Sequence, residues 1–120
     1  MTPLIRSLRD LFTITLNDAA LARLQWKDFG NGLCMARLAS KGEAELLLYR
    51  IESEQPLVFL RHEHLGGEIY LILSGTVEDE YGTYCEGDFV FLERGSTHQP
   101  RAARGTTILV LWPNGIRLVD

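Results

Sequence analysis

From Trp26 onward the apolar residues come in short runs, each closed within a few positions by glycine or by charge. Such runs predict β-strands rather than helices. The candidate strands are Leu33 to Leu38, Glu45 to Ile51, Leu57 to His62, Ile69 to Leu73, Thr76 to Glu80, Phe89 to Leu92 and Thr107 to Trp112. Between them fall Lys41-Gly42, Leu65-Gly66-Gly67, Ser74-Gly75, Tyr81-Gly82, Glu86-Gly87-Asp88 and Asn114-Gly115, all turn chemistry. Many short strands with regular glycine turns make an all-β sandwich or barrel, and a double-sheet jelly roll is the closed solution at this size. Before Trp26 the pattern changes. Thr2-Pro3-Leu4-Ile5 can open a short helical turn. Thr13-Ile14-Thr15-Leu16 reads as a short strand, and Asp18 as the cap of a helix through Leu24. Residues 1–25 are therefore expected to form a short irregular or helical extension packed on the barrel, and residues 26–120 the barrel itself.

Composition narrows the picture modestly. A chain of 120 residues supports one domain around one core. A formal net charge of -4 argues against a nucleic-acid partner, which needs a basic face. No apolar run reaches the length of a membrane span, and Met1 to Arg9 lacks a signal pattern, so the expected location is cytoplasmic, with no membrane contact. Cys34 and Cys85 fit neither a zinc spacing nor a disulfide framework and read as reduced thiols in or near the β core.

The chemistry lies in the histidines. The chain has three, His62, His64 and His98. Side chains alternate across a strand, so His62 and His64 share a face, about 6.6 Å apart along the strand. Two imidazoles so placed can converge on one ion at about 2.1 Å each. Glu63 then points the other way. Gly66-Gly67 lets the chain turn back so that Glu68 opens an adjacent strand, and His98 is expected to arrive from elsewhere in the barrel. His62, His64, Glu68 and His98 are thus the candidate ligands of one divalent metal ion. Imidazole suits zinc, iron, copper and nickel, and a carboxylate tolerates iron and manganese. A six-coordinate ion would keep two positions for water, oxygen or substrate. A zinc closed by all four side chains would be structural.

The same parity places Tyr70 and Ile72 inward with Glu68, and Val58 and Leu60 inward with His62. The ion would then lie against a mainly apolar pocket with one phenol nearby. Tyr70 either hydrogen-bonds a ligand or packs with its hydroxyl at the rim; with Glu68 it is a candidate for a catalytic role. Glu78-Asp79-Glu80 reads as a solvated strand end, as do Glu52, Glu54, Glu63 and Glu86. Trp26 and Trp112 read as packing residues. Neither a Gly-x-Ser-x-Gly nucleophile pattern nor a phosphate-binding glycine loop is present.

These residues resemble the cupin superfamily. Its first motif is Gly, five residues, His-x-His, three or four residues, Glu, six residues, Gly; His62, His64, Glu68 and Gly75 fit, with Pro56 in place of the leading glycine. In the second motif Gly87, Gly95 and His98 fit, while Glu93 replaces a proline and Ala102 an asparagine. Within the superfamily the chain is most similar to the ChrR-like cupins, through Gly66-Gly67-Glu68, Asp79-Glu80-Tyr81-Gly82-Thr83-Tyr84 and Gly95-Ser96-Thr97-His98-Gln99-Pro100. The resemblance implies an RmlC-like jelly-roll barrel, the double-stranded β-helix, and a bound metal, zinc or iron before manganese or nickel. The namesake is an anti-sigma factor whose cupin domain binds zinc and responds to oxidative signals. Its sigma-binding part is a separate helical, zinc-binding domain, to which the first 25 residues here, with neither Cys nor His, do not correspond. Stand-alone relatives include iron-dependent dioxygenases that cleave β-diketones. Three functions follow as expectations: a metal-binding cupin that binds or senses a small molecule, a non-haem iron dioxygenase of a diketone-like substrate, and a structural zinc cupin serving as a protein-interaction module. Cupins commonly pair, so a homodimer is expected, with Thr13 to Leu16 a candidate contact.

Overall fold

The computed structural model describes residues 17–120. The proposed helical turn at Thr2 to Ile5 and the strand at Thr13 to Leu16 lie outside the described residues. One short helix, α1 (Asp18–Ala22), precedes thirteen strands. Its cap is Asn17 and not Asp18: the Asn17 carboxamide oxygen accepts the Ala20 N–H at 2.9 Å. Asp18 instead sits in the first turn, where its charge meets the positive end of the helix.

The strands are β1 (Lys27–Asp28), β2 (Leu33–Lys41), β3 (Ala44–Ile51), β4 (Leu57–Val58), β5 (His62–His64), β6 (Glu68–Ser74), β7 (Thr76–Asp79), β8 (Gly82–Cys85), β9 (Phe89–Leu92), β10 (Thr97–His98), β11 (Arg101–Ala102), β12 (Thr107–Trp112) and β13 (Ile116–Leu118). They form three antiparallel sheets. The largest has the order β1-β2-β3-β12-β6-β9, the second β10-β5-β13, and the third β4-β11-β7-β8. The all-β fold is as expected. Five elements escaped the sequence pattern, β1, β8, β10, β11 and β13, because two to four residues of mixed polarity carry no readable alternation.

Cross-strand partners share a face. On the inner face of the large sheet, Leu47, Val110, Tyr70 and Val90 form one row across four strands. Ile51, Ile72, Val77, Leu92 and Ala102 complete the buried interior around it. The outer face carries two further apolar rows, each crossing five strands. One runs Ala36, Leu48, Leu109, Leu71, Phe89; the other runs Ala39, Leu46, Leu111, Ile69, Phe91. Strands apolar on both faces explain why the sequence shows runs here in place of clean alternation.

One expectation fails for an instructive reason. Leu57 to His62 is not one strand: β4 ends at Val58 and β5 begins at His62, in a different sheet. The two-residue period does not carry through the break. Val58 and Leu60 are 52% and 68% exposed, whereas Leu57 and Phe59 pack against the core.

Gly75 joins β6 to β7 with φ 84°, in the left-handed region, and a Cβ there would overlap Thr106. Thr106 is fully buried and ties this turn down: its hydroxyl accepts the Thr76 N–H at 3.0 Å and donates to the Thr76 carbonyl at 3.1 Å. Gly75→Ala both strains the turn and displaces that hydroxyl. It should cost about 2 kcal/mol or more of folding stability, read as a lowered midpoint in urea with an unchanged slope.

Candidate metal centre

His62 and His64 are buried on β5, while Glu63 between them faces outward and pairs with Arg117 of β13. His98 arrives from a separate strand, β10. β10 is the direct neighbour of β5, and His98 lies opposite His62 in register. Glu68 opens β6, consecutive with β5 in the chain but in the facing sheet, not on an adjacent strand. Gly67, with φ 85°, makes the turn that carries the chain from one sheet to the other. All four side chains are buried, and their ligand atoms lie within 4.8 Å of one another.

Hydrogen bonds behind the rings decide which nitrogen faces the cluster. His62 Nδ1 lies 2.8 Å from the Leu60 carbonyl, which can only accept. His98 Nδ1 lies 2.9 Å from the Asp79 carboxylate, again an acceptor. His64 Nδ1 lies 3.0 Å from Ser96 Oγ, whose own hydrogen is committed to the Glu93 carbonyl at 2.6 Å. Each ring therefore donates from Nδ1, and Nε2 of each ring, a bare lone pair whenever that ring is neutral, faces the cluster.

Among the described residues no donor meets those lone pairs. The Nε2 atoms of His62 and His98 are 3.0 Å apart, two acceptors face to face. His64 Nε2 is buried without a hydrogen bond; Glu68 Oε2 is 2.9 Å away, but it is also an acceptor. Charging the His62 ring instead would meet resistance, since burial holds it below the ordinary imidazole range. A cation removes the conflict. Separations of 2.9 and 3.0 Å match pairs of ligand atoms each about 2.1 Å from one ion. Three imidazoles and a carboxylate make a donor set suited to a divalent metal.

Glu68 is held ionised. Burial alone would raise its pKa, but the His64 and His98 rings, when protonated, and the Trp112 indole outweigh that and draw it below the usual carboxylate range. Trp112 Nε1 donates to Glu68 Oε2 at 2.6 Å. Trp112 thus packs as expected, against Tyr49, and also orients the carboxylate, which the sequence did not reveal.

Asp79 overturns the reading of Glu78-Asp79-Glu80 as a solvated strand end. Its side chain is fully buried. One oxygen accepts from the backbone N–H groups of Tyr81 and Gly82 and from the Tyr84 hydroxyl, while the other faces His98. A carboxylate of that kind fixes ring orientation and makes the imidazole a better ligand. The signal was present in Asp79-Glu80-Tyr81-Gly82, a sequence suited to a turn closed by an aspartate side chain.

A cavity of about 450 Å³ opens onto the cluster, with His62, Glu68 and His98 in its wall. Tyr49, Phe59, Trp112, Ile108 and Val110 make most of the rest apolar. Tyr70 also lines it; its hydroxyl is buried and has no hydrogen-bond partner. Burial, then the charges of Asp79 and Glu68, push its pKa far up, so the phenol stays a donor. Val58, Leu60 and Leu118, all more than half exposed, belong to this wall as well.

An antiparallel β jelly roll with a buried three-histidine, one-carboxylate cluster that could hold a metal ion has the form of a cupin. The chain belongs to the ChrR cupin-like domain family, whose model matches residues 18–115. Among solved structures, an RmlC-like cupin protein from Ralstonia eutropha is 15% identical with a TM-score of 0.72, covering 94% of this chain and 76% of that one. The structure of Rhodobacter sphaeroides SigE in complex with the anti-sigma ChrR matches at 23% identity and a TM-score of 0.65, over 88% of this chain and 71% of that one. An acetylacetone dioxygenase from Acinetobacter johnsonii matches at 14% identity and a TM-score of 0.70, over 91% and 78%. These likenesses establish the cupin fold. No curated protein matches the sequence. Among the described residues no helix is long and apolar enough to cross a membrane.

Two outcomes test the centre. Asp79→Asn should weaken metal binding about 10- to 100-fold while leaving the secondary structure intact, measured by competition with a chelating dye. The second concerns pH. His62 and Glu68 both have folded pKa values below their ordinary 6.5 and 4.5. The unfolded chain therefore takes up protons first, and stability present above those values is lost as pH falls through the folded ones. Chelator-treated protein should melt at progressively lower temperature as pH drops below 6.5 and again below 4.5.

Proposed function

We propose that this protein is a mononuclear metal-binding cupin that takes a small, predominantly apolar molecule against the metal, with His62, His64, Glu68 and His98 as ligands. The observation that carries this reading is the set of bare Nε2 lone pairs that meet beside an apolar cavity. A bound cation would satisfy these buried polar atoms together. Because three of the four cluster residues lie in the cavity wall, a ligand reaches the centre directly. That favours an open site over a closed structural zinc.

The protein's own contributions follow from the geometry. The apolar wall excludes water and selects a molecule of low polarity. Tyr70 offers one hydroxyl to an oxygen on that molecule, which would end its isolation. Glu68, held by Trp112, stays ionised and serves as the fourth ligand or as an acceptor for a ligand proton. A bound divalent ion would supply Lewis acidity toward an oxygen-bearing ligand and, if it were iron, redox chemistry with dioxygen.

A second reading makes the same site a non-haem iron dioxygenase acting on a diketone-like substrate. It is favoured by the apolar cavity on a three-histidine centre and by the likeness to an acetylacetone dioxygenase. We also propose a homodimer, with Thr13 to Leu16 as a candidate contact.

Metal analysis of the purified protein should find about one zinc or iron ion per chain, and His64→Ala should remove it; full metal content in that variant would refute the ligand assignment. Oxygen uptake with a panel of small 1,3-diketones separates the two readings, since uptake that depends on substrate and iron supports the enzyme. Tyr70→Phe should keep the metal and lose about 10-fold in affinity for a bound ligand, the effect of one hydrogen bond at a buried oxygen.

A further inference from the structure

The cavity is divided by chemistry, with its polar groups gathered at one end. His62 and His98 stand side by side in register, and Glu68 faces them from β6. Tyr70 follows Glu68 by two positions on the same face of that strand, about 7 Å further along. It is 3% exposed, and its buried hydroxyl has no partner, so an acceptor oxygen beside it is favoured. Asn31 also reaches the wall, but its carboxamide oxygen is taken up by the Leu33 N–H at 3.2 Å.

Beyond this end the wall is aromatic and aliphatic, and it runs out to the surface. Tyr49 packs on Phe59 and on Trp112, with ring centres 5.9 and 6.3 Å apart. Val58, Leu60 and Leu118 line the same cavity while 52%, 68% and 61% exposed, so they form its rim. Leu118 lies opposite His62 in register, and His62 opposite His98. One row of side chains thus leads from the centre to the rim in two strand spacings, about 10 Å. Aliphatic side chains left exposed around an apolar cavity mark a surface that a ligand covers.

Charge and volume narrow the ligand further. Among the described residues no lysine or arginine lines the cavity. Glu68, together with the Asp79 carboxylate behind His98, balances the two charges of a divalent ion. An anionic ligand buried there would meet no further cation. A cavity of about 450 Å³ compares with about 30 Å³ for one water in the liquid, which leaves room for roughly fifteen atoms of that size. A short-chain carbonyl compound would leave much of it empty.

We propose that the site selects an uncharged carbonyl compound with a long hydrocarbon tail. Its oxygen lies at the metal end and accepts from Tyr70, and its tail follows the aromatic wall and passes out over Val58, Leu60 and Leu118. This rests on the preceding reading of the site as one that takes an apolar molecule beside a metal, and adds the ligand's charge, length and direction.

Binding of straight-chain methyl ketones, from butanone to dodecanone, to the zinc-loaded full-length protein tests the proposal by calorimetry. Affinity should rise about fourfold per methylene and level off once the tail passes the rim. Dodecanoate should bind about 10-fold or more weakly than dodecanone, since its charge lacks a partner. Leu60→Asp and Leu118→Asp, both at exposed positions, should flatten the rise at the long end of the series with zinc content unchanged. Tyr70→Phe should instead lower affinity by the same factor at every length, because it meets only the carbonyl oxygen. Affinity independent of chain length in protein that holds its zinc, or tighter binding of dodecanoate than of dodecanone, would overturn the proposal and leave the metal centre standing. Protein that holds no zinc and binds no ketone would overturn the underlying reading and the proposal with it. A dimer that Leu60→Asp and Leu118→Asp dissociate, with no gain along the ketone series, would assign the rim to a second copy and also overturn it.

Discussion

The centre depends on one strand pairing, β5 with β10. It sets His98 directly across from His62 and, two residues on, leaves His64 beside both. Neither strand is long enough to be stable alone; β5 has three residues and β10 two. They are held by β13 on the far side of β5 and by bonds from the histidines outward to Leu60, Ser96 and Asp79. Removing the pairing would detach His98 from the two histidines of β5.

The outward bonds do more than anchor. A neutral imidazole has one donor and one acceptor nitrogen, so satisfying Nδ1–H at the periphery turns Nε2 into a lone pair at the centre. Three such lone pairs beside an ionised carboxylate form a site that is electrostatically incomplete. Burial raises the cost of that incompleteness, because neither water nor a ready proton relieves it. The same low-polarity surroundings that frustrate the empty arrangement strengthen its hold on a cation and on whatever binds beside it.

Strand β12 links this chemistry to the outer architecture. Its inward residues Ile108, Val110 and Trp112 line the cavity, and Trp112 orients Glu68. Its outward residues Leu109 and Leu111 sit in the middle of both outer apolar rows. One six-residue run thus serves two hydrophobic layers.

The strand class, the turns and the four cluster residues were legible in the sequence. Alternation along a strand is local, and His62-Glu63-His64 needed nothing beyond it. Between Leu57 and Leu60, where the chain leaves one sheet for another, alternation no longer separates the faces: all four residues line the cavity, Val58 and Leu60 while more than half exposed. Asp79 was read as a surface residue and Trp112 as a packing residue, and Ser96 was given no role of its own, because their roles arise from partners 19, 44 and 32 positions away. The sequence by itself determined which donors this protein has and which neighbours share a face. Only the tertiary structure decided how the donors are oriented, what they lack and what cavity they face. Orientation follows from hydrogen bonds between strands brought together by the closure of the barrel, and no local pattern encodes a contact made across sheets.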